Sequence, residues 1–220
     1  MSDKYKEKYE GVEYSTKNFG VLVVVEYLTT EKVKVRFKST GYIRYTSIRE
    51  INKGEVKDFL KPTVSGVGYL GDGKYKVSIK GKMTKAYCCW KDMLKRCYVG
   101  EHLQKCPTYR GCTVVEEWHN YQNFAKWFED NYIEGYELDK DIMVEGNKIY
   151  GPDTCMFVSH KVNMHRACAK VYKIKNPSGD IIEIYNMTDF CKDSELSEDM
   201  LSKVARGKKE NYKGYTTAVN

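Results

Sequence analysis

The hydrophobic period of the chain changes near residue 84, and this switch restricts the fold more than any other feature. Before it, apolar positions recur every second residue: Val33, Val35 and Phe37 alternate with Lys34, Arg36 and Lys38, close to the apolar run Val21–Tyr27. After it, Ala86, Trp90, Met93, Leu94 and Cys97 recur at helical spacing. Strand side chains alternate between two faces, whereas a helix lines one stripe every 3.6 residues, so one regular element cannot hold both patterns. The chain is therefore expected to be α+β, opening with a β-rich block.

That block covers residues 1–80. Turn signals at Gly41, Asn52–Gly54 and Asp72-Gly73 divide it, and a small barrel or curled sheet is expected. Its second strand would bury one face and present Lys34, Arg36 and Lys38 on the other. Gly66-Val-Gly-Tyr-Leu-Gly71 matches the dinucleotide-binding glycine pattern. No helical pattern follows it, and Lys74–Ile79 alternates like a strand, so the glycines are assigned to a bend and a hairpin.

A central block is expected over residues 81–170. The spacing predicts helices over 84–98 and about 120–131, the second burying Phe124, Trp127 and Phe128, with a short strand at Cys112–Val115 between them. Tyr136–Ile142 and Asn147–Tyr150 read as two strands, followed by a helix from near Ser159 that carries His160, Asn163 and Arg166. Strand, loop, strand, helix is the order of a ββα finger. The third block, 171–220, is expected to pair Val171–Ile174 with Ile181–Tyr185 around Asn176–Gly179. Thr188 and Ser197 are candidate caps for two short helices, the second running to Arg206, and so tight a joint predicts a helix-turn-helix.

Charge narrows the partners. The net charge is +7, and residues 1–80 carry 16 Lys and Arg against 10 Asp and Glu. Residues 171–220 balance at 8 against 8, but their cations gather late, at Lys203, Arg206, Lys208, Lys209 and Lys213. Basic regions on both sides of a neutral middle suit a phosphate backbone, as well as an ordinary solvated surface. No apolar run reaches the ~18 residues of a membrane span, and the charged start Met1–Gly11 lacks the apolar core of a signal peptide. Eight cysteines without such a signal are expected to be reduced thiols in a cytoplasmic protein. Cys97, His102, Cys106 and Cys112 lack the tight paired spacing of a zinc site, so zinc is not expected.

Two ordered motif sets carry a family resemblance. Trp90–Tyr98, Pro107-Thr-Tyr, Cys112, Glu117-Trp118, Phe124–Trp127, Leu138–Asp141, Gly146–Tyr150 and Pro152–Cys155 resemble phage homing endonucleases of the His-Asn-His class. Tyr172–Ile174, Pro177–Gly179, Phe190-Cys191, Leu196-Ser197, Leu201–Val204, Gly207-Lys208 and Lys213–Tyr215 resemble the C-terminal DNA-binding repeat of the same family. The resemblance spans about 84–217. It implies a central His-Asn-His ββα finger with flanking helices and a C-terminal β-hairpin with a helix-turn-helix. It also implies one Mg²⁺, with Asp139 as the strand ligand and Asn163 as the helix ligand, both offering hard oxygen atoms.

The family's general base is a His beside the strand ligand, and this chain has Lys140 there. An ordinary Lys, with a pKa of about 10.4, is protonated at neutral pH and a poor base. Lys140 could instead grip phosphate, and His160, one helical turn before Asn163, is the substitute base on the same face. Thr154 stands where the family often has a structural Asn. The resemblance therefore leaves two readings. In the first, the chain is a Mg²⁺-dependent endonuclease nicking or cutting DNA in a bacterial host's cytoplasm during phage infection. In the second, it is a non-cleaving scaffold that binds DNA as a regulator, or structured RNA such as ribosomal RNA. A protein–protein adaptor is the third alternative. The expected nucleic-acid contacts are Lys34, Arg36, Lys38, Arg166, Lys203, Arg206, Lys208, Lys209 and Lys213.

Overall fold

The computed structural model describes residues 2–144, 146–160, 162–163 and 171–218. The fold is mixed α+β with several small sheets. It divides into two compact units: Met1–Ile133 with Leu138–Phe157, and Glu134–Glu137 with Val158–Asn220.

The first unit begins with helix α1 (Ser2–Tyr9) and strands β1 (Glu13–Thr16), β2 (Gly20–Thr29), β3 (Lys32–Phe37) and β4 (Ile43–Thr46). The strands form an open antiparallel meander in chain order rather than a barrel. The alternation in β3 is realised: Val33, Val35 and Phe37 are wholly buried. Tyr9 and Tyr27 stack, with ring centres 5.4 Å apart, and close one end of this core. Helix α2 (Ile48–Lys53) lies where a turn was expected. Ser47 caps its start and Gly54, at φ 65°, ends it, while Ile48 and Ile51 fill the core.

Beyond Phe59 the chain leaves the sheet and joins a second core. Val64, Val67, Leu70, Tyr75 and Val77 pack against it. The expected strand Lys74–Ile79 is reduced to β5 (Ser78–Ile79), paired with β6 (Lys82–Met83). The rest is held by side chains: Tyr75 N–H donates to Gln122 Oε1, and Gln122 Nε2 donates to the carbonyls of Leu70 and Tyr75. Gly68 sits where a Cβ would fall 2.4 Å from Leu94 Cδ1 and 2.9 Å from the Trp90 ring. The glycine run thus serves close packing.

Helix α3 (Lys85–Tyr98), capped by Thr84, and helix α5 (Tyr121–Asn131), capped by Asn120, supply the centre of this core. Trp90, Trp118, Tyr121 and Phe124 are almost completely buried. The Trp90 indole N–H donates to the Trp118 carbonyl at 2.7 Å, as a buried ring nitrogen must find an acceptor. Between α3 and α5 come α4 (Gly100–Lys105) and β7 (Thr113–Val114). Strand β9 (Ile149–Tyr150) pairs in parallel with β7, not with the strand before it as the sequence predicts. The strand before it, β8 (Tyr136–Asp139), pairs instead with β10 (Met156–Ser159).

In the second unit, β11 (Tyr172–Lys175) and β12 (Ile181–Ile184) form the expected hairpin. The C-terminal stretch beyond Lys209 folds into β13 (Asn211–Tyr212) and β14 (Tyr215–Thr217), giving a sheet of order β12-β11-β14-β13. Helices α6 (Met187–Lys192) and α7 (Glu198–Ala205) cover it, burying Met187, Cys191, Leu201 and Val204. Asn186, not Thr188, caps α6, its side chain accepting from the N–H groups of Thr188 and Asp189. Thr188 Oγ1 instead donates to Glu198 at 3.0 Å and ties the two helices together. Among the described residues, no helix is long and apolar enough to cross a membrane.

Candidate functional site

In the second unit a carboxylate, an imidazole and an amide come together. Glu137 reaches from β8 to the helical turn that holds His160 and Asn163. Its Oε1 lies 2.8 Å from His160 Nδ1, and its Oε2 accepts from Asn163 Nδ2 at 2.6 Å. An ionised carboxylate only accepts hydrogen bonds, so His160 Nδ1 carries the proton and Nε2 is left as the basic nitrogen. The imidazole is 70% exposed, so Nε2 is open to solvent. Asn163 spends its amide N–H on Glu137, which turns its carbonyl oxygen away from the carboxylate. The site can therefore accept a proton at Nε2 and offer a neutral oxygen ligand one helical turn further on.

Glu137 has no counterpart among the residues expected from the sequence. A signal existed: in a strand, residues two apart share a face, so Glu137 accompanies Asp139 while Leu138 points to the core, where it is 8% exposed.

Asp139 and Lys140 belong to the first unit. Asp139 Oδ1 accepts from the backbone N–H groups of Asp141 and Ile142, both at 2.7 Å. This is a capping arrangement for the loop after β8, and it leaves Oδ2 as the oxygen available to a hard cation. Lys140 is buried, at 6% exposure. Its Nζ donates to Asp141 Oδ1 at 2.5 Å and to the Asn147 carbonyl at 2.7 Å, and lies 6.0 Å from the Tyr150 ring centre. Asn147 answers with Nδ2 on the carbonyls of Lys140 and Ile149. Lys140 and Asn147 thus brace the 140–149 loop, a job the sequence pattern does not reveal. Thr154 donates to the Ile149 carbonyl at 2.7 Å and closes the same loop from its far end.

A divalent cation is implied by the resemblance to the His-Asn-His class. Asp139 Oδ2 in the first unit and the Asn163 carbonyl in the second are each hard oxygens of the kind Mg²⁺ takes. Among the described residues, no group of three or more His, Cys, Asp or Glu is arranged around a common point. The cysteines of the central core are packing groups: burial pushes the Cys97 thiol up to about 12 and the Cys155 thiol up to about 11.

The expected nucleic-acid residues are scattered over both units. On the outer face of the first sheet, Arg36 and Lys38 are exposed and Lys34 is half-buried. Lys38 pairs with Glu13 at 2.7 Å. In the second unit Lys203 pairs with Asp199 at 2.7 Å along α7, and Arg206 donates to Ser202 Oγ. Lys208 is exposed, Lys209 partly so, and Lys213 Nζ donates to the Glu195 carbonyl at 2.7 Å. Arg166 lies outside the described residues. His119 Nε2 contacts the Tyr98 hydroxyl at 3.3 Å, in the central core.

No family model matches the chain, and no curated protein matches it. One solved structure is similar across 96% of this chain and 92% of its own, at 12% identity and a TM-score of 0.22: a study of DNA binding and cleavage by the HNH homing endonuclease I-HmuI.

Proposed function

We propose that the protein binds nucleic acid and hydrolyses a phosphodiester, with His160 as the base and Glu137 as its orienting carboxylate. The observation that supports this reading is the Glu137–His160–Asn163 arrangement, in which a strand carboxylate fixes one tautomer of an exposed imidazole. A water hydrogen-bonded to His160 Nε2 would give up its proton as it attacks phosphorus. Glu137 would then stabilise the imidazolium without taking the proton itself, as carboxylates beside catalytic imidazoles do. Asn163, held by Glu137, and Asp139 are the proposed oxygen ligands of Mg²⁺. When bound, that ion would stabilise charge on the phosphate and the leaving oxygen. The motif order over residues 84–217 and the cationic residues of β3 and 203–213 are consistent with DNA as the substrate. On this reading the chain comprises a basic N-terminal module, a central ββα module and a C-terminal nucleic-acid-binding module.

The test is nicking of supercoiled plasmid in Mg²⁺ or Mn²⁺. Wild type is expected to nick, with activity reduced about 10²–10⁴-fold in His160→Ala, the contribution of a positioned acid–base group. Glu137→Gln should lose activity while still binding DNA, and Asp139→Ala should weaken the metal dependence. A wild-type protein that binds DNA tightly and never cuts it would refute hydrolysis. The second reading, a non-cleaving DNA or RNA binder, is favoured by one observation: Lys140, at the family's usual base position, is buried and fully engaged in bracing its loop.

A further inference from the structure

The structure assigns a separate contact surface to the β5–β6 hairpin, at the edge of the central core. From Gly73 to Lys91 the chain carries six lysines and no Asp or Glu. Two of these are engaged at the base: Lys74 pairs with Glu129, and Lys85 lies over the Tyr132 ring. Lys76, Lys80 and Lys82 are exposed, and none of the three has a carboxylate within ion-pair distance among the described residues. Between them, Ile79 and Met83 are 59% and 58% exposed, the highest values among the large apolar side chains of the first unit. Ile79 lies opposite Lys82 and Met83 opposite Ser78, so the two apolar side chains stand on opposite faces of the ribbon, one on each side below its cationic tip.

The ribbon stands on a fixed base. Thr84 N–H donates to the Val77 carbonyl at 3.0 Å, and the Lys76 carbonyl accepts from the hydroxyls of Tyr121 and Thr84. Tyr75 and Val77 pack into the central core beneath it. The turn at the tip, Lys80-Gly81, has φ of 49° and 76°. Positive φ at both central residues matches the tight hairpin turn whose twist suits antiparallel strands, but that turn ordinarily takes Asn, Asp or Gly at the first position. A lysine there adopts a conformation that L side chains resist, and it sets a cation at the outermost point of the ribbon. The same Lys-Gly turn recurs at Lys213-Gly214, where the lysine is tied to the Glu195 carbonyl. At Lys80 no such partner holds it.

We propose that this ribbon is a prong for double-stranded DNA. Lys76, Lys80 and Lys82 take backbone phosphates, while Ile79 and Met83, one on each face of the ribbon, press against the two walls of the minor groove and widen it, bending the duplex. Charge complementarity selects the occupant: a stretch of this length with cations only suits a polyanion, and apolar contacts flanked by phosphate contacts are how minor-groove binders deform a duplex. The inference rests on the nucleic-acid reading above and deepens it.

The test uses the full chain and a fluorescent 30-bp duplex of random sequence. Affinity is measured against salt for wild type, for Lys76→Gln/Lys80→Asn/Lys82→Gln, and for Ile79→Ser/Met83→Ser. Each phosphate contact contributes about 0.9 to the slope of log affinity on log salt, so the lysine variant should lose about 2.7 from it. Between 50 and 200 mM salt, wild type should then lose ~40-fold more affinity than that variant. The Ile79/Met83 variant should keep the wild-type slope but lose the duplex bend, read by end-to-end energy transfer. All five side chains lie at the surface, and unchanged melting temperatures verify folding. A lysine variant with the wild-type slope refutes the prong alone; a wild type with no salt-dependent binding refutes the nucleic-acid reading itself. Binding to phosphatidylserine vesicles that disappears in the Ile79/Met83 variant, with DNA bending unaltered, would overturn the assignment in favour of a membrane surface.

Discussion

Replacing Lys140 distinguishes a bracing cation from a reactive one. The ammonium is buried and donates to Asp141 Oδ1 and the Asn147 carbonyl. Hydrogen bonds from a charged donor contribute about 1.5–3 kcal/mol each. In Lys140→Met both are lost, but the aliphatic stem keeps its packing and the cost of burying an ammonium disappears. Asp141, with its side chain 47% exposed, also regains water. The opposing contributions leave a net loss of about 2 kcal/mol, within the usual range for a broken buried network. For a chain of this size that lowers the melting temperature by about 4–8 °C. Hydrogen exchange should quicken at the amides of the 140–149 loop. Lys140→His places a base at the family's usual position, yet its shorter side chain cannot span to the Asn147 carbonyl. It should be destabilised similarly and gain no nicking activity. An unchanged melting temperature in Lys140→Met, or a Lys140→His protein that cuts DNA faster, would refute the bracing role.

Three further outcomes are expected. Gly68→Ala should destabilise by about 1–3 kcal/mol, because its Cβ would meet Leu94 and Trp90 in a filled core; a thermal melt checks this. Cys97, Cys89 and Cys155, whose thiols burial pushes up to about 12, 12 and 11, should resist alkylation at pH 8 in the native protein and react in denaturant, as peptide mapping would read. Burial, with Asp72 beside it, pushes the Tyr42 phenol up to about 12 from its ordinary value near 10. The folded state therefore holds this proton more tightly. Its contribution is complete below about pH 10 and fades as pH rises to about 12, so Tyr42→Phe should flatten the alkaline limb of the stability curve.

The elements with the strongest periodicity were legible from the residues alone. Trp90, Met93, Leu94 and Cys97 mark α3, and Val33, Val35 and Phe37 mark β3, because each buries one complete face. The pairing of strands was not legible. β9 joins β7 across some 35 residues, and β8 joins β10 past the intervening loop, choices made by tertiary packing rather than by local pattern. Helix α2 hides because only Ile48 and Ile51 mark its buried side. Residues 64–77 hide because they pack irregularly, through Gln122 and against Trp90. At the candidate site, His160 and Asn163 follow from the motif order. Glu137 was masked by a run of acidic residues, Glu134, Glu137, Asp139 and Asp141, whose roles only the strand's face and the helical turn separate.

The most direct measurement of the central claim is the ¹⁵N spectrum of the His160 imidazole at neutral pH, compared with Glu137→Gln. The geometry predicts a single tautomer with the proton on Nδ1 and a bare Nε2, giving way to a mixture when Glu137 is changed. A wild-type imidazole protonated on Nε2, or one indifferent to the Glu137 substitution, would contradict His160 as an oriented base.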